Sequence, residues 1–249
     1  MARLSVNVNK IATLRNTRSN GIPDVVRLAS VALNAGADGI TIHPRPDQRH
    51  IRGADVDAIA TMLDAYLTAE LNIEGNPFHG LVEHCERVRP DQATLVPDVP
   101  EAPTSNQGWD LLHLGGEQRK ALAEAIARLH ACGCRVSLFI DPVVEIPKLA
   151  KELGADRVEL YTEPYASAYA QGKGEASVGA YAATATAAHS LGLGVNAGHD
   201  LSLDNLRFFL GRVWPVHEVS IGHALIADAL EVGLAEAVRR YRVLGASSR

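Results

Sequence analysis

Eight short apolar runs recur along the chain, and apolar residues at helical spacing fill the segments between most of them. Runs that are apolar nearly throughout are typical of strands buried on both faces of a parallel sheet. The pattern therefore predicts eight strands, at 4–8, 39–43, 71–74, 93–97, 135–141, 157–162, 194–196 and 218–222.

Helical spacing between the runs predicts helices at 23–33, 53–67, 117–132, 145–153, 175–191 and 224–244. The first of them has proline near its start. The phrases at 35–38 and 153–156, Ala-Gly-Ala-Asp and Leu-Gly-Ala-Asp, each indicate a helix end just before the next strand.

Eight alternations of strand and helix predict an α/β fold, a closed (β/α)8 TIM barrel. The runner-up is a doubly wound open sheet, but no G-x-G-x-x-G follows the first strand and no G-x-x-x-x-G-K-[ST] occurs. Length alone also permits two small domains. Since no shift in composition marks a linker, we expect a single domain over 1–249.

Composition is that of an ordinary globular protein, with 47% hydrophobic residues and a net charge of -5. The sequence contains no basic stripe, so we do not expect nucleic acid as a partner. No long apolar segment precedes the first strand, so we expect neither a signal peptide nor a membrane anchor, and a cytoplasmic location. Cys85, Cys132 and Cys134 do not form a disulfide or zinc pattern and are interpreted as buried thiols.

Titratable and polar residues concentrate where the predicted strands end. In a barrel these ends share one face and can converge on a single substrate. The residues are Asn7, Asn9, Lys10, His43, Arg45, Glu74, Pro97, Asp141, Glu163, Asn196, His199, Gly222 and His223.

Three of these residues are candidates for proton transfer. Glu74 ends an apolar strand, where partial burial would raise the pKa of its carboxyl toward the range useful for acid/base catalysis. His43 and His199 end two other strands, and imidazole exchanges protons near neutral pH. The alternatives are a salt bridge for Glu74 and structural roles for the histidines.

Arginines and a helix start supply candidate phosphate contacts. Five of the 24 basic residues are lysine, so bidentate arginine contacts are the more available kind. The turn at Gly222 and His223 opens the last predicted helix, whose backbone N–H groups can bind an anion. The alternatives are an exposed charged loop at 43–50 and a plain strand-to-helix turn at 222–223. The candidates are Arg18, Arg45, His50, Thr104, Gly222 and His223.

Two polar loops, at 98–109 and 163–174, are candidate lids or simple surface loops.

A required metal is disfavoured, because no H-x-H or H-E-x-x-H pair occurs and arginines lie near His43 and His50. Lys10 is the only lysine near a strand end. A lysine-dependent aldolase, a sugar-phosphate isomerase or a non-catalytic phosphosugar-binding barrel therefore remain alternatives.

Several separated motifs resemble the pyridoxine 5'-phosphate synthase family. They are SVNVNKIATLRN at 5–16, GADGITIHPRPDQRHI at 36–51, VSLFID at 136–141, VNAGH at 195–199 and IGHA at 221–224. The resemblance extends from Leu4 to about Leu244 and implies a (β/α)8 barrel with additional helices, assembled as a homo-octamer in the bacterial cytoplasm.

The resemblance also implies a reaction. 1-Deoxy-D-xylulose 5-phosphate condenses with 3-amino-2-oxopropyl phosphate to give pyridoxine 5'-phosphate, phosphate and water, without a metal or organic cofactor. His43, Glu74 and His199 match the acid/base residues of the family. Arg45, His50 and Thr104 match pentulose-phosphate contacts, whereas Asn7, Arg18, Gly222 and His223 match contacts to the amino-ketone phosphate. The loop with Thr104 resembles a closing lid.

Three positions depart from the family pattern. Asn9 and Lys10 stand where many members have Asp-His, so the pentulose contact there would rely on hydrogen bonds. Asp200 stands where glycine is common, and only its backbone N–H carries over as a substrate contact. The segment between Ala65 and Phe78 differs slightly in length from the family. The match of Glu74 to a family residue therefore rests on the local sequence Asn72-Ile73-Glu74.

Overall fold

Eight parallel strands close into a barrel in the order of the sequence. The computed structural model describes residues 2–98 and 105–246. Each strand pairs with its neighbours in the chain, and the first pairs with the last. The predicted (β/α)8 barrel is thereby confirmed. The strands are β1 Arg3–Asn7, β2 Gly39–Ile42, β3 Glu70–Gly75, β4 Gln92–Leu95, β5 Arg135–Ile140, β6 Arg157–Tyr161, β7 Gly194–Gly198 and β8 Glu218–Ile221.

Eleven helices lie within the described ranges. Most of them come between consecutive strands in the chain and surround the barrel. They are α1 Asn9–Asn16, α2 Val25–Asn34, α3 Gly53–Leu63, α4 Leu81–Val88, α5 Gly116–Ala131, α6 Ile146–Glu152, α7 Glu163–Ala170, α8 Gly174–Ser190, α9 Leu206–Arg212, α10 His223–Val232 and α11 Leu234–Ala246. None of these helices combines the length and apolarity needed to cross a lipid bilayer.

Several helix predictions were wrong in detail. The candidate lid at 163–174 is mostly helix α7, whose first turn carries Pro164 and whose Tyr165 is buried. The single helix predicted at 224–244 is two helices, because Gly233 takes a positive φ of 86° that ends α10. Helices α1, α4 and α9 were not predicted; they have only seven or eight residues, too few to show a clear period.

The thiol prediction was correct for two of the three cysteines. Cys85 and Cys134 are buried, whereas Cys132 is only partly buried at the end of α5. All three are free thiols.

Strand residues alternate between two buried environments. Apolar side chains such as Val6 and Ile40 belong to the large hydrophobic cluster between the barrel and the helices. The alternate positions carry buried polar side chains, and several of these hydrogen-bond to one another. For example, Thr41 contacts the Ser5 hydroxyl at 2.6 Å and the Asn72 amide at 3.3 Å. Because the inward-facing positions are polar and the outward-facing ones apolar, the strand sequences are largely but not wholly apolar.

A repeated contact joins pairs of adjacent strands at their amino-terminal ends. Asp38, Asp91 and Asp156 each precede a strand and accept, through the carboxylate, a backbone N–H from the strand before it, at 2.8–2.9 Å. His217 does the same through Nδ1 for Val195 at 3.0 Å. The aspartates of the two Gly-Ala-Asp phrases therefore clamp neighbouring strands, in addition to following a helix end.

Charged side chains crowd the same amino-terminal end of the barrel. The Glu70 carboxylate pairs with both Arg3 and Arg135, and Arg157 lies 3.9 Å from Glu218. Polar groups that could bind a substrate are thus engaged with one another at this end, and the cavity lies at the opposite, carboxyl-terminal end of the strands.

Candidate active site

A cavity of about 480 Å³ lies at the carboxyl-terminal ends of the strands. All but two of the predicted site residues line it, although they come from widely separated segments. The lining residues that the sequence predicted are Asn7, Asn9, Lys10, His43, Arg45, His50, Glu74, His199, Asp200, Gly222 and His223.

The two exceptions are Arg18 and Thr104. Arg18 is exposed two residues beyond the end of α1 and does not line the cavity. Thr104 lies outside the described residues, as does half of the segment 98–109 that the sequence indicated as a candidate lid after β4. The predicted phosphate contacts of both residues stay predictions.

Glu74 is the next-to-last residue of β3, with its side chain in the cavity wall, and is only 8% exposed. The Asn7 amide donates to its Oε2 at 3.3 Å, and the Ser220 hydroxyl lies 3.5 Å from Oε1. Burial, followed by the negative charge of Asp98, raises the pKa of Glu74 to about 8. At neutral pH this carboxyl is therefore mostly protonated and can act as a proton donor.

His43 follows β2 and is buried at the cavity wall. Burial, with the nearby charges of His50 and Arg45, holds the pKa of His43 well below its usual value, so the ring is neutral. The side-chain Oδ1 of Asn9 accepts the backbone N–H of His43 at 2.9 Å. Asn9 thus fixes the backbone that carries His43, a role that an amide oxygen performs as well as a carboxylate.

His199 follows β7 with a positive φ of 79°. Its ring lies against Phe139 and Tyr161, with ring centroids 5.2 and 5.4 Å away. The Thr162 hydroxyl lies 2.6 Å from the carbonyl oxygen of Gly198 and 2.5 Å from that of His199. Burial lowers the pKa of His199, so this imidazole is also poised as a neutral proton acceptor.

The segment after β2 is drawn into the wall instead of forming an exposed charged loop. Arg45 is buried and pairs with Asp98, its Nη1 lying 3.2 Å from Oδ2. His50 is partly buried, and its ring centroid is 5.9 Å from that of His43. Burial and the charge of Arg45 lower the pKa of His50 to about 4. A neutral His50 contributes hydrogen bonds to a ligand without adding a charge.

The amino terminus of α10 supplies a second candidate anion contact. Gly222 is the N-cap residue, and a Cβ at this position would lie 3.1–3.3 Å from the Asn7 side chain. His223, Lys10 and Asp200 are exposed residues that also line the cavity. Free N–H groups at the start of a ten-residue helix favour an anion, and Gly222 leaves room for Asn7 beside them.

The sequence analysis missed several cavity residues, and three of them lie on strands. Glu159 and Tyr161 alternate on β6, and Ser220 lies on β8. Glu159 is 2% exposed and its Oε2 has no hydrogen-bond partner. Burial, followed by the charges of Glu74 and Glu218, raises the pKa of Glu159 well above the ordinary value. Glu159 could have been predicted from the sequence, because it is a glutamate within an otherwise apolar strand, the same feature that indicated Glu74.

Metal ligands are not grouped in the part of the chain that the structure describes: no three or more His, Cys, Asp or Glu residues there are arranged to hold an ion. The candidate histidines instead neighbour arginine or aromatic side chains.

Comparison with known proteins assigns the chain to a family. The family model for pyridoxal phosphate biosynthesis protein PdxJ matches residues 4–246. The chain belongs to the PdxJ family. The pyridoxine 5'-phosphate synthase of Porphyromonas gingivalis is 52% identical over 242 residues, covering 97% of this chain and 98% of that protein. The protein of the same name from Allorhizobium ampelinum is 49% identical over 245 residues, covering 97% and 96%.

Such relatives indicate that this PdxJ-family chain is an enzyme that performs a condensation of the synthase type.

Solved structures show the same fold at much lower identity. Thiamine phosphate pyrophosphorylase from Pyrococcus furiosus has a TM-score of 0.61 and 14% identity, covering 99% of this chain and 96% of that chain. Phosphoribosyl anthranilate isomerase from Thermus thermophilus has a TM-score of 0.55 and 18% identity, covering 99% and 100%.

Proposed function

We propose that this PdxJ-family enzyme condenses 1-deoxy-D-xylulose 5-phosphate with 3-amino-2-oxopropyl phosphate to give pyridoxine 5'-phosphate, phosphate and water. One observation carries the proposal: Glu74, His43 and His199, from three strand ends, line one polar cavity. Relatives named pyridoxine 5'-phosphate synthase support the choice of product.

The protonation states of the three residues suit the chemistry. The amine of one substrate attacks the ketone of the other, so the Schiff base forms between the substrates and water leaves. Dehydration and ring closure then require repeated proton transfer. A raised pKa makes Glu74 a proton donor at neutral pH, while lowered pKa values leave His43 and His199 as acceptors. The site therefore holds an acid and two bases at the same pH.

Two anion contacts support the binding of two phosphorylated substrates. We assign the pentulose phosphate to Arg45 and His50, with Thr104 from the loop after β4. The amino-ketone phosphate is assigned to Asn7 and the start of α10 at Gly222 and His223. Holding both substrates converts an encounter in solution into a reaction within one cavity. Arg18 retains its proposed contact to the amino-ketone phosphate, since family resemblance supports it.

A lysine-dependent aldolase is less well supported. Lys10 lines the rim but is exposed. A Schiff-base lysine is usually activated by a desolvated pocket or a neighbouring cation that lowers its pKa. The ammonium of Lys10 better suits attraction of phosphorylated substrates toward the cavity.

The test is incubation of the purified protein with both substrates, followed by chromatographic detection of pyridoxine 5'-phosphate and a phosphate assay. Formation of both products in equal amounts is expected. Release of neither product would refute the proposal. Borohydride trapping of the pentulose phosphate on Lys10 would instead support the aldolase.

Assembly, domain organisation and location complete the proposal. We propose a homo-octamer, since Ile22, Trp214 and Leu230 leave apolar side chains 64–79% exposed that partner subunits could cover. Light scattering should give about eight times the chain mass.

A single domain over 1–249 is supported by a barrel that begins at Arg3 and a last helix that ends at Ala246. Phosphorylated substrates cross membranes poorly, which favours the cytoplasm.

A further inference from the structure

Asp98 joins three segments next to the cavity residue Arg45. Its Oδ2 accepts hydrogen bonds from Arg45 Nη1 at 3.2 Å and from the Ser105 hydroxyl at 2.7 Å. The Asn76 amide donates to the main-chain oxygen of Asp98 at 3.0 Å. Arg45 follows β2, Asn76 follows β3 and Asp98 follows β4, so one residue ties together the ends of three consecutive strands.

The ion pair between Arg45 and Asp98 is buried. The side chains are 4% and 6% exposed, so water does little to screen either charge. A buried guanidinium without a nearby carboxylate is strongly unfavourable. The same guanidinium lines the cavity, where a substrate phosphate would compete for or share its donors. Asp98 therefore balances and orients Arg45 before any substrate arrives.

We propose that Asp98 is a positioning residue, whose carboxylate holds the Arg45 guanidinium in the orientation that binds a substrate phosphate. The inference rests on the proposed function, in which Arg45 contacts the phosphate of the pentulose. Asp98 has two opposite effects on that phosphate. Its charge repels the anion, whereas its hydrogen bond pre-organises the donors. Pre-organisation is the larger effect in this proposal, so loss of the carboxylate weakens substrate binding.

Asp98 also acts on a second group, which supplies an independent readout. Its negative charge helps to raise the pKa of Glu74, together with burial and the charge of Glu218. Glu159 also faces Glu74, and the Asn7 amide and Ser220 hydroxyl lie against its oxygens. Removal of the Asp98 charge leaves all of these groups in place and lowers the pKa of Glu74.

The experiment compares steady-state kinetics of the wild-type enzyme and Asp98→Asn across pH. The KM for 1-deoxy-D-xylulose 5-phosphate should rise about tenfold, and by much more than the KM for the amino-ketone phosphate. The alkaline limb of the kcat profile, where Glu74 loses its proton, should move to lower pH. A general loss of folding would produce neither the KM selectivity nor the shift of the limb.

Asp141→Asn is the matched control. Asp141 follows β5, accepts the Gly108 N–H at 3.3 Å and does not line the cavity. We expect its KM values and pH profile to match those of the wild-type enzyme. Should Asp98→Asn not fold, Ser105→Ala carries the test, because Ser105 lines the cavity and the substitution removes its hydroxyl donor to Asp98 without removing a charge. It should raise the KM for the pentulose phosphate about two- to threefold without moving the limb.

The inference and the proposed function fail in different ways. A wild-type protein that forms no pyridoxine 5'-phosphate overturns the proposed function. An active wild-type enzyme whose Asp98→Asn variant has an unchanged or lower KM for the pentulose phosphate, or an unmoved alkaline limb, overturns the positioning role alone.

Discussion

Asn7 and Glu74 are joined by a 3.3 Å hydrogen bond across 67 residues of sequence, with the Asn7 amide donating to Glu74 Oε2. Asn7 ends β1 and Glu74 is next to last in β3, and these two strands are not adjacent in the barrel. The contact spans the mouth of the barrel and holds a carboxyl with a pKa of about 8 against the cavity. It joins a proposed phosphate contact to the proposed proton donor.

Replacement of that donor should abolish most turnover. Glu74→Gln keeps the shape and the Asn7 neighbour of the side chain but cannot exchange a proton. We expect kcat to fall by about 10²- to 10⁴-fold, the usual contribution of a general acid or base. Pyridoxine 5'-phosphate formation measures the effect, and circular dichroism checks that the fold is retained. A variant with wild-type turnover would contradict the role of Glu74.

Stability should depend on pH through the same residue. The pKa of Glu74 rises from its ordinary value of 4.5 to about 8 on folding. Between these values the unfolded chain has lost the proton that the folded chain keeps. Stability therefore falls as pH rises through this window, by at most about 1.4 kcal/mol per pH unit for one group.

Glu74→Gln removes this titration and should flatten the pH dependence of the free energy of unfolding between pH 5 and 8. Urea unfolding of both proteins at equal concentration measures it. Glu218 also has a raised pKa and titrates in both proteins, so its contribution cancels in the difference between the two curves. The charge of Glu74 helps to raise the pKa of Glu159, so the difference reports Glu74 together with its effect on Glu159. Parallel curves would show that the pKa of Glu74 does not rise on folding.

Crowding at Gly222 should impair catalysis without unfolding the barrel. In Gly222→Ala the new methyl group would lie 3.1–3.3 Å from Asn7 and displace its amide from Glu74. The shift needed is a few tenths of an ångström, and a misplacement of about 1 Å at a reacting site can cost on the order of 10²-fold in rate. We expect kcat/KM to fall by about two- to tenfold, with little change in the melting temperature.

The control for that substitution is Gly179→Ala. Gly179 lies within α8, and a Cβ there would meet no atom within 4 Å. Its kinetics should equal those of the wild-type enzyme. If Gly222→Ala were equally unaffected, Asn7 would not need its present position.

The strand clamps should contribute to stability independently of catalysis. Asp156→Ala removes the 2.8 Å bond to the Val136 N–H and leaves that partly buried donor unsatisfied. We expect a loss of about 1–3 kcal/mol in the free energy of unfolding. His130→Ala removes only the exposed hydrogen bond to the same carboxylate and should cost less than about 1 kcal/mol. Equal losses would attribute the effect to the His130 contact and not to the clamp.

The sequence by itself determined the barrel and most members of the site. Each strand carries buried apolar residues between its polar ones, so the number and order of the strands can be read without knowing their partners. Glu74, His43 and His199 stood out because each ends such a strand. A polar residue at a strand end is visible locally, and the parallel topology makes all those ends meet.

Tertiary structure decided what depends on contacts between distant segments. The burial of Arg45 follows from Asp98, 53 residues away, and the raised pKa of Glu74 follows from burial and from that same carboxylate. Helix α7 replaced a predicted lid because Tyr165 packs into the core among Tyr181 and Phe209, residues of later helices. Burial, charge and packing depend on which segments lie together in space, and a local pattern of residue types does not contain that information.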